Sequence, residues 1–415
     1  MKKIIFTVTV LAAFAAYAAA DGGNVITLKA VTDMAAANNP DLIAAEKMAR
    51  SYESKSHKQF FLENPMVGFD IMGIKDSTLD MDNTMVKYLT ISQKIPFPLK
   101  YIWKAAGASA ESDRYRYMYE MKKLETLENA REAYYELYKT TKYIEITAAA
   151  ASVMKQVSDI AFVKYNQGAA SVQDSARADI ESGLLEDSLA GLKRQRETDI
   201  QALRKATGND GFLEQDVFTL EELSVPELKN GFEAIKEMVL KGAPALKAAK
   251  AGRSESDNMR DMAISDYIPD LNVQLKKSVV PGSRDYELMV EAEIPVFFLN
   301  NQQADIGEKW EMAEAKQNEY ISAQNSAVLE AKNHYETIMA NARSMNLYKN
   351  RLIPQAESGL RSAISSYQSK KTDLISLLDS ERMLHDMKKD YYMRLTEYLM
   401  HYRMLEELAG EELDK

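Results

Sequence analysis

The stretch Pro65–Pro98, PMVGFDIMGIKDSTLDMDNTMVKYLTISQKIPFP, reads as two short strands around a polar loop at Lys75–Asn83. Nearly everything on either side of it reads as long helix. A second copy follows at Ile268–Phe298, IPDLNVQLKKSVVPGSRDYELMVEAEIPVFF. A lone hairpin is marginal in water, so a helical chain that makes two of them must cover them with something.

Landmarks around the two stretches recur in the same order. Asn39-Pro40-Asp41-Leu42 is echoed by Ala243-Pro244-Ala245-Leu246, Asn64-Pro65 by Ile268-Pro269, Ile95-Pro96 by Ile294-Pro295, and Tyr165-Asn166-Gln167-Gly168 by Tyr367-Gln368-Ser369-Lys370. The offsets are about 204, 204, 199 and 202 residues, the mark of a tandem duplication. The expected organisation is a targeting segment over 1–20, a first repeat over 21–209 with strands near 66–95, a connector over 210–241, and a second repeat over 242–412 with strands near 270–294.

The helices have informative lengths. Asn39 and Pro40 suit the cap and first turn of a helix running to about Glu63. Leu99–Gln167 holds no proline and, apart from Gly107, no glycine. That helix would be roughly 105 Å long, and the two shorter helices of the repeat, about 38 and 60 Å, nearly equal it end to end. Each half can then form two helical rows of matched length, one continuous and one interrupted, as in a rod or tube. Tyr134, Leu137, Ile144 and Ala151 offer a seam on the long helix, and Leu377, Leu384, Tyr391, Tyr398 and Leu405 fall at seven-residue intervals on the last.

Among 415 residues there are 17 glycines and 10 prolines, which suits long helices rather than a loop-rich fold. A net charge of −10 argues against a nucleic-acid partner. Lys2 and Lys3 precede an apolar run to about Ala16, and Ala18-Ala19-Ala20 offers a small-residue cleavage site, so export is expected. The chain has no cysteine, hence no disulfide and no Cys-anchored lipid. No later stretch reads as a transmembrane helix, so any membrane entry must be through strands.

The fourth strand alternates cleanly: Tyr286, Leu288, Val290, Ala292 and Ile294 against Glu287, Met289, Glu291 and Glu293. The third sets Leu271, Val273, Leu275 and Val279 against Asn272, Gln274, Lys276 and Ser278, with Lys277 spoiling the apolar face. The first two strands are less clean. Alternation suits a water-filled barrel, with the glutamates toward the lumen, and equally a sheet half-buried on a soluble core. Counting separates the two. Four strands cannot close a membrane barrel, and an open edge in lipid leaves amides unsatisfied. A membrane reading therefore needs several copies, with two giving eight strands and three giving twelve. Tyr267, Phe97, Phe297 and Phe298 gather at one end of the strand pairs, where an aromatic girdle would sit.

The duplicated layout, Ile95-Pro96-Phe97-Pro98, Ile294-Pro295-Val296-Phe297, Leu352-Ile353-Pro354-Gln355-Ala356-Glu357, and Tyr165-Asn166-Gln167-Gly168 with Asp174 beyond it together resemble the TolC family of outer-membrane efflux factors. The resemblance spans essentially the whole chain after the targeting segment. It implies a mainly α fold with membrane β: tandem-duplicated helical hairpins forming an α-barrel, and four strands per chain contributing to a trimeric twelve-stranded outer-membrane β-barrel. It also implies a homotrimer in outer-membrane lipid, extending into the periplasm of a Gram-negative bacterium, with a periplasmic adaptor and an inner-membrane pump as partners. The function it implies is a passive exit duct for efflux or type I secretion, gated at its periplasmic end. No cofactor is expected.

In that family, acidic residues at two helical turns narrow the tube. The turns here are Tyr165–Asp174 and Tyr367–Asp379. Asp379 resembles a constriction acid, Ser376 replaces its neighbour, and Asp373 could supply that charge instead. Asp174 resembles a residue linking the hairpins, with Lys370 or Lys371 as the basic candidate. Three copies around one pore would favour cations. A carboxylate near a helix start is also an ordinary cap, and Lys370 replaces the glycine of the first turn. Glu287, Glu291 and Glu293 are the barrel-lumen candidates. The histidines His57, His334, His385 and His401 sit in separate helical contexts without metal-ligand spacing, and there is no nucleophile or phosphate-loop motif. The competing reading is a periplasmic or surface helical scaffold carrying a small soluble sheet.

Overall fold

The prolines and glycines that punctuate the sequence set the ends of its helices. A computed structural model describes residues 25–72, 86–209, 211–212, 218–294, 301–369, 371–411 and 413. The expected targeting segment, the Lys75–Asn83 loop, Lys370 and the aromatic pair Phe297 and Phe298 lie outside them. In chain order the elements are β1 (Val25–Ile26), α1 (Leu28–Asn38), α2 (Pro40–Gln59), β2 (Met66–Met72), β3 (Val86–Ile95), α3 (Pro98–Asn166) and α4 (Val172–Thr207). There follow β4 (Thr219–Leu220), α5 (Phe232–Gly242), α6 (Pro244–Ser265), β5 (Leu271–Ser278), β6 (Tyr286–Ala292), α7 (Asn301–Leu347), a π-helical turn (Tyr348–Leu352), α8 (Ile353–Gln368) and α9 (Leu374–Ala409). The order α2-β2-β3-α3-α4 is thus repeated as α6-β5-β6-α7/α8-α9.

Local chemistry explains these boundaries. The Asn39 side chain accepts from the amides of Asp41 and Leu42, and Pro40 occupies the first turn where no amide partner is needed. Phe60 caps α2, a few residues short of the expected Glu63. Gly168 and Gly208 end α3 and α4 with φ of 68° and 64°, a left-handed conformation that glycine adopts without a Cβ penalty. The long helix of the second repeat is interrupted where the first is not. Pro354 has no amide to donate, and its ring would press on the Asn350 carbonyl, so the turn before it widens to π geometry.

Two compact units make up the chain. One comprises residues 1–38, 129–225 and 348–396. In it β1 and β4 pair in parallel, and the Tyr134 hydroxyl donates to the Ile26 carbonyl at 3.0 Å. Tyr138 and Lys142 both reach Glu222, at 2.6 Å each, and these two donors hold its carboxyl below the usual range. An apolar cluster of Ala150, Met154, Val157, Ala161, Ala178 and Leu185 closes against Tyr367, Leu374, Leu377 and Leu378. One stretch of α3 passes as a membrane span by length and composition, contrary to the expectation of none. The apolar positions of α3 named above are spent on this cluster. The α3 seam is also shifted: Tyr134 and Leu137 are buried, but Ile144 and Ala151 are only half-buried.

The other unit comprises residues 39–128, 226–347 and 397–415. Here α6 packs along α7, Tyr52 stacks on Tyr115 with ring centroids 3.5 Å apart, and Lys55 and Arg114 pair with Glu111 and Glu255. Its sheet has the order β2-β3-β5-β6, antiparallel throughout. The strands run from 7 to 10 residues, somewhat shorter than the sequence suggests for three of the four. Elsewhere in this unit α5 and the end of α9 meet backbone to backbone. A Cβ on Gly242 would lie 1.9 Å from the Ala409 carbonyl oxygen, and Gly410 beside it has φ of 73°. Gly242→Ala should therefore destabilise the chain by about 1–3 kcal/mol as an overpacking change, read as a lower midpoint in thermal unfolding, whereas Gly183→Ala, with open space around it, should not.

Candidate functional site

The cross-strand register sorts the sheet's side chains into two unlike faces. Val67, Ile91, Leu275 and Leu288 stand opposite one another across all four strands, and Phe69, Leu89, Lys277 and Tyr286 form the next row. Toward the helices, Gln93, Val273 and Val290 are followed by Ile95, Leu271 and Ala292. This face is apolar and uncovered: Leu288 is 71% exposed, Val67 69% and Phe69 53%. The first hairpin therefore alternates too, with Lys87 and Gln93 as the polar exceptions on its apolar face. Its pattern is blurred in sequence because Met66 and Met72 fall on the other side.

The opposite face is polar and internally bonded. Thr90 donates to Asp70 at 2.7 Å, and Lys276 lies 3.5 Å from the same carboxylate. Tyr88 donates to Glu287 at 2.5 Å, while Asn272 and Gln274 both donate to Glu291, at 3.0 and 2.9 Å. Two of the three expected lumen carboxylates, Glu287 and Glu291, are thus hydrogen-bond acceptors on this face. Glu293 follows the end of β6 and is exposed.

In the other unit, the two helical turns are built differently. Ser171 and Asp174 form a reciprocal capping box at the start of α4: the Asp174 amide donates to Ser171 at 3.0 Å, and Asp174 accepts the Ser171 amide. Asp174 also faces Tyr367, whose hydroxyl is pushed up first by burial and then by that carboxylate. The cation that ties these turns together is Lys164, which donates to the Tyr367 carbonyl and lies over its ring at 4.0 Å. Lys371 contributes its backbone amide, to Ser366 at 2.9 Å. Asp373 is the cap of α9, accepting from the Ser376 amide at 2.9 Å, and the Ser376 hydroxyl, followed by that amide, lowers its pKa. Asp379 is exposed and lines a groove of about 510 Å³ with Ile180, Leu184, Ile375 and Arg382.

The strongest link between α4 and α9 had no place among the sequence candidates. Arg382 grips the buried Glu181 with two nitrogens, its Nε at 2.9 Å. The pair spans 201 residues, the Lys164–Tyr367 contact 203 and the Tyr88–Glu287 bond 199. All three equal the repeat offset within a few residues, so matching each position with its repeat partner would have exposed them.

Glu381, beside that pair, is 3% exposed. Burial, with Glu181 and Asp386 adding repulsion, raises its pKa to about 7. It lines a cavity of about 610 Å³ with Glu145, Leu360, Leu384, His385 and Tyr391. Two residues of the α9 seam, Leu384 and Tyr391, thus border open space, while Leu377, Tyr398 and Leu405 are buried.

The histidines are not all separate. His334 and His401 face each other with Nδ1 atoms 2.7 Å apart, and burial followed by this neighbour holds His401 below the ordinary range. His385 meets Thr147 at 3.1 Å. No group of three or more histidine or acidic side chains forms a metal site among the described residues.

Glu381 gives a pH dependence with a definite sign. A carboxyl raised in the folded state stabilises fully below its unfolded value and loses that contribution as pH rises through about 7. Glu381→Gln should then raise the unfolding midpoint at pH 8, by up to about 3 kcal/mol in stability, and change it little at pH 4. An equal shift at both values would contradict the assignment.

Comparison with known proteins places this geometry. Residues 31–209 match the outer membrane efflux protein family. The cobalt-zinc-cadmium resistance protein CzcC of Cupriavidus metallidurans is 22% identical over 381 residues, covering 88% of this chain and 85% of that one. Among solved structures, the outer-membrane channel OprN matches with a TM-score of 0.80 at 15% identity, over 94% of this chain and 91% of that one. The outer membrane protein VceC of Vibrio cholerae matches at 0.78 and 15% identity, over 93% and 96%.

Proposed function

We infer that this chain, a member of the outer membrane efflux protein family, is the outer-membrane channel through which a tripartite efflux assembly empties. The observation that carries this reading is the sheet. Among the described residues one face is apolar and uncovered across four strands, the other is polar and hydrogen-bonded, and both edges are open. Water would penalise the first face and lipid would penalise the edges. A closed barrel in a membrane satisfies both, with apolar side chains outward and the polar side chains toward a lumen. A scaffold with a small soluble sheet would leave the apolar face unexplained.

Closure needs other copies, and the edges suit it. Strands alternate in direction from β2 to β6, so β6 of one copy can continue antiparallel to β2 of the next. Three copies would give twelve strands, the number the family resemblance implies. The helices would complete the tube on the periplasmic side. There Phe162, Val163, Val172, Ile180, Leu184 and Ile375, all exposed apolar residues close to the helical turns, would meet neighbouring copies or a periplasmic adaptor bridging to an inner-membrane pump.

The duct is passive. Asp379 is the gating candidate that the geometry favours most, since it is exposed on a groove beside the α4–α9 link, whereas Asp373 and Asp174 serve as helix caps. Rings of Asp379 at the turns, and of Glu287, Glu291 and Glu293 in the barrel, would favour cations over anions. The pump chooses the cargo. In planar bilayers the purified chain should form trimeric, cation-preferring pores, and Asp379→Ala should raise single-channel conductance. A chain that fractionates with the soluble periplasm and stays monomeric in mild detergent would overturn the channel reading, and unchanged conductance would remove Asp379 from the gate.

A further inference from the structure

The acidic charges within the sheet are confined to one of its faces. Every acidic residue within the strands, Asp70, Glu287 and Glu291, belongs to the polar face and has partners there. The apolar face carries two charges, Lys87 and Lys277, and both are cations. They sit on adjacent strands at the same end of the sheet. Lys87 stands opposite Ile71 with its carbonyl accepting from Val279, and Lys277 stands opposite Leu89 and Tyr286. Arg284 lies in the turn two residues before Tyr286. None of the three has an acidic partner among the described residues, and Lys277 lies 5.9 Å from the ring centre of Tyr286.

Their end of the sheet is the loop end, since the chain enters and leaves the strands from helices at the other. At that other end the one uncharged polar side chain of the face, Gln93, satisfies its amide on the Glu63 and Lys94 carbonyls. A lysine on a lipid-facing strand is costly at mid-membrane and costs almost nothing at the interface. Lys87 and Lys277 therefore fix where the hydrocarbon ends. Beyond that line, unpaired cations above an apolar band match one chemistry: an anionic head group whose acyl chains lie along the band.

We propose that Lys87 and Lys277, with Arg284, form a binding site for a phosphate-bearing lipid head group in the leaflet at the loop end of the sheet. The Tyr286 ring beside Lys277 would support the sugar or glycerol portion at the interface. This proposal rests on the membrane-channel reading. It adds a specific lipid partner that the channel reading does not require.

The test uses the full chain in detergent micelles with diphosphorylated lipid A added as probe, scored by native mass spectrometry. Phosphatidylethanolamine and inorganic phosphate serve as the comparison ligands. Wild-type protein should retain lipid A at least tenfold more tightly than phosphatidylethanolamine. Lys87→Gln combined with Lys277→Gln should abolish that preference, and Lys→Arg at both sites should restore it. Each variant is also floated with phosphatidylethanolamine vesicles. Wild-type protein that fails to float would sink the membrane reading itself. Protein that floats normally but shows no lipid A preference, loses none of it in the double glutamine variant, or is matched by inorganic phosphate overturns the lipid site alone.

Discussion

The sheet of this protein has an apolar face that none of the described residues covers, and the proposed channel follows from that deficit. Burying such a face contributes about 25 cal/mol per Å² removed from water, yet Val67, Phe69 and Leu288 stay exposed. In the proposed channel the sheet finds its cover in lipid. Lipid would in turn forbid the open edges of β2 and β6, so the same proposal calls for other copies as well as a membrane.

Polar chemistry is spent with equal economy. Asp70, Glu287 and Glu291 are each satisfied by hydroxyl, amide or lysine donors on one face. In the helical unit, Glu181 is matched by a two-pronged arginine, while Glu381 next to it has no such donor and is held toward its neutral form.

Much of the fold was legible because it is written in residues with strong local rules. Asn39-Pro40, Gly168 and Gly208 announce helix ends by capping and by left-handed backbone, and the strand ends fall at prolines. The two faces of the first hairpin were harder to read, because methionine is apolar in composition but here occupies the polar side; only the β3–β5 register settles it. The π turn before Pro354 is a local conflict whose resolution could have been several kinks. The site was less legible still. The Glu181–Arg382 and His334–His401 contacts join positions 201 and 67 residues apart, and helical periodicity carries no record of which distant helix is the neighbour. Asp174 and Asp373 proved to be helix caps, a role that the same short sequences serve as readily as the gating role expected of them.

The central claim is that the Val67–Leu288 face meets lipid and the Tyr88–Glu291 face meets water. With no native cysteine, single labels can be placed cleanly, at Leu288→Cys on one face and Gln274→Cys on the other. In proteoliposomes, a nitroxide at position 288 should relax with oxygen and ignore a water-soluble nickel chelate, and one at 274 should do the reverse. A label at 288 that responds to the chelate, or two labels that respond alike, would contradict the account.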